Sequence, residues 1–312
     1  MDSFAIKYRP SILDEIIGNV AIKKVLRTMV ESKKFSHVLL EGPTGSGKTT
    51  IARILATEFG AQSVDEINCV HFSGIGDMRE KIDSLQKTSF LKKRVLILDE
   101  IHRLSAQSQD VLLKPLEGGI ASDVLVISCT TSTERLTPAL LDRFKRLKVT
   151  PLSDKEAVQL IERIEKSEGL QVPKWKKALI VDKCGGIPRR ILSGLEKVVW
   201  IDDEKEVIFL LDLNELDGEN EDVLDLFKHF LSQSSWDKIK EIIRKLLKSL
   251  SIESIRVGLL NIVAARLMSD YGTLEEKERL VKAYGILLPP MNFPEKATLV
   301  FNLFKIHLLL KV

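Results

Sequence analysis

The chain has 312 residues, of which 44% are hydrophobic and 29% charged, and its formal net charge is +3. This composition is typical of an ordered soluble protein with two or three domains, and it excludes a disordered or fibrous chain. The basic excess lies in the first half, with 22 Lys and Arg against 18 Asp and Glu through Thr150 and 25 against 26 after it, which permits nucleic-acid binding without establishing it.

The three cysteines, Cys69, Cys129 and Cys184, lie far apart and form no CxxC spacing. The sequence therefore indicates neither a zinc site nor a disulfide framework. The first ten residues contain no apolar signal core, and no apolar run approaches the roughly 18 residues that a membrane span needs. We expect a cytoplasmic protein.

Helices and strands alternate in the first half of the chain. An amphipathic helix is predicted over residues 22–32, and the apolar run His37–Leu40 predicts the first strand. A helix is expected from Lys48 to about Phe59. Further apolar runs at Lys93–Leu98 and Val124–Ser128 predict two buried strands. This alternation predicts an α/β fold with a largely parallel sheet flanked by helices.

Helical periodicity replaces the strand signals after Pro151. It covers Asp154–Lys166, Trp175–Lys183 and Arg189–Val199, and an acidic stretch at 216–222 then marks a boundary before a helical C-terminal region. We therefore predict a small helical lid and an all-α C-terminal domain after the α/β domain. The three modules are placed at about 1–150, 151–205 and 206–312.

A phosphate-binding loop is predicted between the first strand and the following helix. The pattern GxxxxGK[ST] is satisfied by Gly42, Pro43, Thr44, Gly45, Ser46, Gly47, Lys48 and Thr49, with Thr50 next. Glycines let backbone N–H groups converge on phosphate oxygens, and the helix presents its positive N-terminal end. Lys48 would bridge the β and γ phosphates, and Thr49 would ligate Mg²⁺. The alternative is a solvated glycine turn, which the flanking strand and helix disfavour. We predict a site that binds and hydrolyses ATP with Mg²⁺.

Two adjacent carboxylates follow the strand predicted at Lys93–Leu98. Asp99 lies where a carboxylate can hold the Mg²⁺ shell, and Glu100 lies where one can orient and deprotonate the attacking water. The alternative is a pair of loop carboxylates. We assign His102, an isolated histidine, no catalytic role.

The segment Lys7–Asn19, KYRPSILDEIIGN, is similar to the opening of replication factor C small subunits and of tailed-phage clamp loader large subunits. With the loop and the carboxylate pair, the chain resembles the AAA+ family and, within it, a clamp-loader ATPase subunit. The resemblance implies that this segment packs against the adenine. The residues it implicates are Tyr8, Arg9, Pro10, Ile17 and Gly18.

The resemblance also implies two residues that sense the phosphates. The third strand ends in SCTT, where the family has its sensor 1, and we assign this role to Thr130 with Thr131 as the alternative. The segment GGIPRR resembles the sensor 2 motif. It implies Arg189 at a helix start over the phosphates, with Arg190 as the alternative.

The segment TPALLDRFKR resembles the stretch that carries the arginine finger, which maps to Arg143. In this family the finger reaches the nucleotide of the neighbouring subunit. Arg146 is the alternative finger, and a surface salt bridge is the structural alternative. The context Asp142-Arg143-Phe144 departs from the Ser-Arg-Cys of clamp loaders and is closer to branch-migration motors.

Two segments, Ser73–Asp83 and Leu104–Lys114, resemble helices whose N-terminal ends follow a DNA phosphate strand in clamp loaders. Solvated helix ends are the alternative. The implied DNA contacts are Arg79, Arg103 and Gln109. Phe90 and Leu91 are candidates for contact with a sliding clamp, with core packing as the alternative.

The C-terminal helices carry more apolar surface than a small helical packet readily hides, and they lie where a clamp loader has its oligomerising collar; ordinary core packing of a helical domain is the alternative. The resemblance implies ATP-driven loading of a ring-shaped sliding clamp onto primed DNA for replication, by an ATPase that DNA and clamp stimulate. The implied partners are the clamp, primer-template DNA, a DNA polymerase indirectly, and other subunits in a hetero-pentamer with several copies of this chain. The setting would be a prokaryotic or phage-infected cell, near the nucleoid.

The sequence leaves three alternative functions open. A Holliday-junction branch-migration ATPase would have a winged-helix C-terminal domain, whose β-hairpin signals are absent from the sequence. A structural subunit that binds nucleotide without turnover would not need Glu100, Thr130, Arg143 and Arg189 together. A P-loop kinase is disfavoured because residues 151–312 offer no small-substrate signature.

Overall fold

The structure is a computed structural model, and it describes residues 3–70, 75–87, 93–119, 123–214, 221–232, 234–268, 273–290 and 295–311. The chain forms two units. One contains the chain up to Gln171 together with Gly185–Ser193, and the other contains Val172–Cys184 together with the chain from Gly194 onward. The three predicted modules, 1–150, 151–205 and 206–312, stay a prediction.

A five-stranded sheet forms the centre of the first unit. Its strands are β1 (Val38–Glu41), β2 (Ser63–Asn68), β3 (Arg94–Asp99), β4 (Val124–Thr130) and β5 (Lys145–Lys148). Their spatial order is β2-β3-β4-β1-β5, and each neighbouring pair is parallel. The predicted α/β class with a parallel sheet is confirmed.

Alternate residues of the central strands enter two separate cores. Leu40 and Ile97 belong to the core on one face, and Leu39 and Leu96 to the core on the other, because successive side chains of a strand point to opposite faces. All seven residues of β4 are buried. Helices therefore cover both faces, as a parallel sheet requires.

The described part of the first unit also contains the helices α1 (Phe4–Lys7), α2 (Val20–Ser32), α3 (Lys48–Phe59), α4 (Ile75–Lys87), α5 (Ala106–Lys114), α6 (Pro138–Leu141) and α7 (Asp154–Glu168). Local signals set their ends. A capping box of Ser153 and Glu156 starts α7, and Gly169 ends it with a φ of 66°. Pro115 ends α5 and begins a π-helical turn, Pro115–Gly119, because proline has no N–H to continue the α-helical hydrogen bonds.

The remaining helices are α8 (Lys174–Cys184), α9 (Pro188–Val198), α10 (Glu204–Asn214), α11 (Glu221–Leu231), α12 (Trp236–Ser249), α13 (Ile252–Met268), α14 (Leu274–Leu287) and α15 (Glu295–Leu310). Every regular element in the described part of the chain after Lys148 is a helix, so the predicted helical character of this region is confirmed. Within the described ranges, no helix has the length and apolarity to cross a membrane.

Two edge strands were not predicted. Strand β2 alternates between exposed and half-buried positions, and β5 buries only Leu147 among charged neighbours. Neither strand presents the continuous apolar run by which the central strands are predicted. Their charged side chains are typical of sheet edges that avoid pairing with other chains.

Candidate nucleotide site

The predicted phosphate loop connects the carboxyl end of β1 to the first turn of α3. Gly42 N donates to Thr130 O at 3.1 Å, which holds the start of the loop beside the end of β4. Gly47, the residue before α3, has a φ of 98°, a conformation that glycine adopts without strain. Ser46 Oγ is buried and, among the described residues, has no hydrogen-bond partner. Free N–H groups at a helix start and an unsatisfied hydroxyl together suit an anion.

The start of α9 lies against this loop. Arg189 N donates to Gly45 O at 3.3 Å. A Cβ at Gly45, whose φ is 78°, would lie 2.9 Å from Ile187 Cγ2, so both backbone conformation and space require glycine there. Arg189 lines the cleft beside the loop, whereas Arg190 is not among the described lining residues.

Lys48 is the most buried cation of the cleft, with 5% of its surface exposed. Its ammonium donates to Gly42 O at 2.9 Å and to Pro43 O at 3.0 Å. Burial lowers the pKa of Lys48, and the negative charge of Glu100 acts in the opposite direction. A charge held at neutral carbonyl oxygens is available to an anion that enters the cleft.

Asp99 and Glu100 lie at the end of β3, next to the first turn of α3. Thr49 Oγ1 donates to Asp99 Oδ2 at 2.8 Å, and Glu100 N donates to Asp99 Oδ1 at 3.0 Å. Glu100 has a φ of 53° and is therefore one of few described residues other than glycine in the left-handed region. Such strain is often found at functional sites. The predicted metal pair is in contact, and Glu100 lines the same cleft.

Thr130, the predicted sensor 1, is the last residue of β4 and is fully buried. Its hydroxyl donates to Ser132 O at 2.6 Å and lies 3.0 Å from His102 Nδ1. Neither Thr130 nor Thr131 is among the described lining residues of the cleft. The choice between the two threonines stays open.

The N-terminal segment also lines the cleft. Of the five residues predicted there, four line it, namely Tyr8, Arg9, Pro10 and Ile17. Gly18 is not among the lining residues; its α carbon faces Leu152 and Glu156. Tyr8 Oη donates to Glu168 Oε1 at 2.5 Å, which joins this segment to α7 and raises the pKa of Tyr8.

Two other arginines act on the charge of Arg9 in the cleft region. Burial lowers the pKa of Arg9, and the charges of Arg53 and Arg189 lower it further. Glu66 takes up the charge of Arg53 through two hydrogen bonds of 2.8 Å. Arg9 and Arg189 thus give the cleft positive charge, as a polyphosphate requires.

Helices α7 and α9 contribute lining residues that the sequence analysis did not identify. They are Leu160, Arg163, Pro188 and Leu192. Arg163 Nη1 donates to Glu15 O at 2.9 Å. Pro188 belongs to the GGIPRR segment, but the other three residues belong to no motif. They face the cleft through the ordinary periodicity of their helices, which gives no sequence signal for a binding site.

The predicted arginine finger does not line the cleft of its own chain. Arg143 follows α6 and forms a close ion pair with Glu117 in the π-helical turn. Its Nε is buried and, within the described ranges, makes no hydrogen bond. Arg146, the alternative finger, lies 3.6 Å from Glu41.

The predicted DNA contacts differ in exposure. Arg79 on α4 and Arg103 before α5 are exposed. Gln109 is only 1% exposed, and its amide donates to Leu104 O and Arg135 O and accepts from Thr137 N. The prediction that the Gln109 side chain contacts DNA is therefore not supported, since its polar atoms are buried and occupied. Phe90 and Leu91 lie outside the described residues.

All three cysteines are free and buried. Burial raises the pKa of the Cys69 thiol to about 12, so this sulfur is neither a ready nucleophile nor a ready metal ligand. Among the described residues, no group of three or more His, Cys, Asp or Glu side chains is arranged to hold a metal ion.

Comparison with known proteins agrees with this geometry. Residues 38–152, from β1 to just beyond β5, match the family described as "ATPase family associated with various cellular activities (AAA)". The Thermotoga maritima RuvB Holliday junction branch migration motor is similar in structure, with a TM-score of 0.56 and 25% identity, and the similarity covers 82% of this chain and 85% of RuvB.

Curated relatives give a narrower assignment. The chain is 29% identical to the replication factor C small subunit of Methanocella arvoryzae over 76% of both chains. It is 30% identical to that of Methanoculleus marisnigri over 70% of this chain and 71% of the relative. Other small subunits match over 60% to 62% of their own length. The chain belongs to the replication factor C small subunit family, a clamp-loader family of AAA ATPases.

Proposed function

We propose that this chain is an ATPase subunit that loads a ring-shaped sliding clamp onto primed DNA for replication. The observation that carries the proposal is the convergence of Lys48, Thr49, Asp99, Glu100 and Arg189 in one cleft of a chain in this family. Each supplies a part that phosphoryl transfer needs: phosphate binding, metal binding, activation of water and cationic charge. Loading is tested by ATP-dependent retention of the sliding clamp from the same genome on a primed DNA circle.

Within the cleft we place the adenine beside Tyr8, Arg9, Pro10 and Ile17. The cleft also has the apolar side chains Leu160 and Leu192, which suit the face of a base. The phosphates would then reach the loop at residues 44–49. Lys48 would exchange its contacts with the Gly42 and Pro43 carbonyls for phosphate oxygens.

The contact between Thr49 and Asp99 fits Mg²⁺. A hydroxyl and a carboxylate 2.8 Å apart are hard oxygen ligands, and Mg²⁺ bound with a nucleotide takes one or two carboxylates, waters and phosphate oxygens. When bound, Mg²⁺ would neutralise charge that develops on the phosphates. Thr49 and Asp99 would hold it, and Glu100 would remain free to accept a proton from the attacking water.

Replacing Lys48 tests the phosphate site. Lys48→Ala should weaken ATP binding roughly 10- to 100-fold, since charged hydrogen bonds to phosphate are lost, and should reduce hydrolysis with it. Titration with a fluorescent ATP analogue measures the affinity. Lys34→Ala, at an exposed lysine outside the cleft, is the matched control. Equal affinity in both variants would show that nucleotide binds elsewhere.

Arg143 supports an assembly with shared sites. Because it lies outside the cleft of its own chain, a phosphate that it contacts belongs to another subunit. In such an assembly Arg143 would exchange its ion pair with Glu117 for the neighbouring nucleotide. This position supports a site shared between subunits, and the resemblance to clamp loaders implies a hetero-pentamer with several copies of this chain.

An apolar stripe on α15 supports assembly through the C-terminal helices. Phe301, Phe304 and Leu308 are 57%, 38% and 52% exposed, and their spacing places them on one face of the helix. The opposite face is buried, with Leu299, Leu303 and Ile306 in the core. Three exposed apolar side chains in one row are typical of a contact surface. We propose that this stripe is part of the collar.

Polar substitutions on this stripe should weaken assembly. Phe301→Ser and Leu308→Ser should each raise the concentration for half assembly about tenfold or more, since burying such a side chain contributes roughly 1.5–3 kcal/mol. Sedimentation velocity measures the assembly state. Lys296→Ser, off the stripe on the same helix, is the control. If both stripe variants assembled like wild type, the collar would lie elsewhere.

Exposed Arg79 and Arg103 remain the proposed contacts with DNA phosphates. Contacts to phosphates carry no information about base sequence, so we expect DNA binding that is insensitive to sequence. The similarity to RuvB favours a branch-migration motor as the second candidate. The winged helix expected of that motor has a β-hairpin, and the described residues after Lys148 contain helices alone. Clamp loading is therefore the function that we propose.

A further inference from the structure

The backbone after β3 turns so that His102 faces the carboxylate two residues earlier. Glu100 is in the left-handed conformation and precedes a short 3-10 turn, Ile101–Arg103. Arg103 N donates to Glu100 O at 2.9 Å and closes the turn. As a result, the side chains of Glu100 and His102 point toward the same space at the end of β4.

One ring nitrogen of His102 lies between two oxygens. Nδ1 is 3.0 Å from Thr130 Oγ1 and 3.3 Å from Glu100 Oε2. The His102 side chain is 10% exposed, and Thr130 is fully buried. These contacts connect the end of β3 to the end of β4 through the imidazole.

The hydrogen bonds of Thr130 determine which nitrogen carries the proton. The Thr130 hydroxyl donates its one hydrogen to Ser132 O at 2.6 Å, so toward His102 it can only accept. A lone pair on Nδ1 would also face the Glu100 carboxylate and repel it. Both contacts therefore require Nδ1–H, and burial lowers the pKa of His102, which favours the neutral ring.

We propose that His102 is a positioning residue for ATP hydrolysis: its Nδ1–H, shared between Thr130 Oγ1 and Glu100 Oε2, holds Glu100 through that oxygen and leaves Oε1 to accept the proton of the attacking water. The inference rests on the proposed ATPase function. A carboxylate held through one oxygen loses rotational freedom and presents the other oxygen in a fixed direction. His102 thus acts through Glu100 and needs no contact with ATP.

Three substitutions at His102 distinguish the roles of its two ring nitrogens. Asparagine places an amide N–H near the position of Nδ1, glutamine places one near Nε2, and alanine provides neither. We expect His102→Ala and His102→Gln to lower kcat roughly 10- to 100-fold, the range for one hydrogen bond to a charged group, with KM for ATP unchanged. His102→Asn should recover most of the rate. Equal rates in all three variants would overturn the proposal.

A double-variant comparison tests whether His102 acts through Glu100. In a Glu100→Gln background, adding His102→Ala should cause little further loss, since two residues that act as a unit are not additive. A full additional loss would mean that His102 acts on another group. Thermal denaturation of each variant identifies any variant that fails to fold. If His102→Ala does not fold, His102→Asn, whose side chain is closer in shape to histidine, can still be compared with His102→Gln.

The ring tautomer is measured without any turnover. In the ¹⁵N-labelled full chain, long-range proton–nitrogen correlations distinguish Nδ1–H from Nε2–H, and His102→Asn assigns the signal. The proposal requires Nδ1–H, and an Nε2–H tautomer contradicts it. Lack of ATPase activity in the wild-type chain would instead contradict the proposed function, so the two failures are separate results.

Discussion

Arg143→Ala should reduce ATP hydrolysis by roughly 10³- to 10⁵-fold in the assembled protein while ATP affinity stays near that of wild type. Arg143 lies outside the cleft of its own chain and pairs with Glu117. Its removal therefore takes no contact from the bound nucleotide of the same subunit. Loss of a surface ion pair alone costs about 0–1 kcal/mol, which would change the rate of hydrolysis by about fivefold at most. Single-turnover hydrolysis and ATP titration measure the two quantities.

Mixing variants locates the action of Arg143. Subunits with Arg143→Ala and subunits with Lys48→Ala should each be inactive alone and should hydrolyse ATP when assembled together, since each lacks a different half of a shared site. Arg146→Ala is the matched control, and it should keep most of its activity. If mixed assemblies form and no activity returns in any proportion, Arg143 acts within its own subunit or only on structure.

Glu100→Gln should keep ATP bound and slow hydrolysis by roughly 10²- to 10⁴-fold, the range for loss of a general base. The amide has the shape of the carboxylate but cannot accept the proton of the attacking water at neutral pH. ATP affinity depends on Lys48, Thr49 and the loop N–H groups, which this substitution leaves in place. Rapid-quench measurement of the chemical step and ATP titration distinguish the two effects.

Glu58→Gln is the matched control for this substitution, because Glu58 is an exposed residue of α3 outside the cleft. It should hydrolyse ATP at the wild-type rate. A Glu100→Gln variant that failed to bind ATP would indicate that Glu100 holds the metal or the loop. Unchanged hydrolysis would indicate another base.

Features set by adjacent residues could be predicted from the sequence. The loop at residues 42–49 is specified by its own glycines between an apolar strand and a helix, and Asp99 and Glu100 follow directly from the end of an apolar strand. The central strands are long apolar runs because both of their faces are buried. The loop and the central strands therefore lie where the sequence pattern predicts them.

Features set by contacts between distant segments could not be predicted in the same way. β5 is a strand because it pairs with β1, although KRLK has little strand character of its own. Two side-chain contacts join residues that are more than 25 positions apart in the sequence. They are the contact between His102 and Thr130 and the ion pair between Arg143 and Glu117. Gln109 shows the opposite case, since a residue that suits DNA chemically is used for internal hydrogen bonds.

The central claim is tested most directly by the rate of ATP hydrolysis of the full chain, assembled with its partner subunits, with and without primed DNA and the sliding clamp of the same genome. We predict that the rate rises when both are added, falls as salt is increased and does not depend on the DNA sequence. A rate that clamp and primed DNA leave unchanged, or that rises with a four-way junction instead, would contradict the assignment as a clamp-loader subunit.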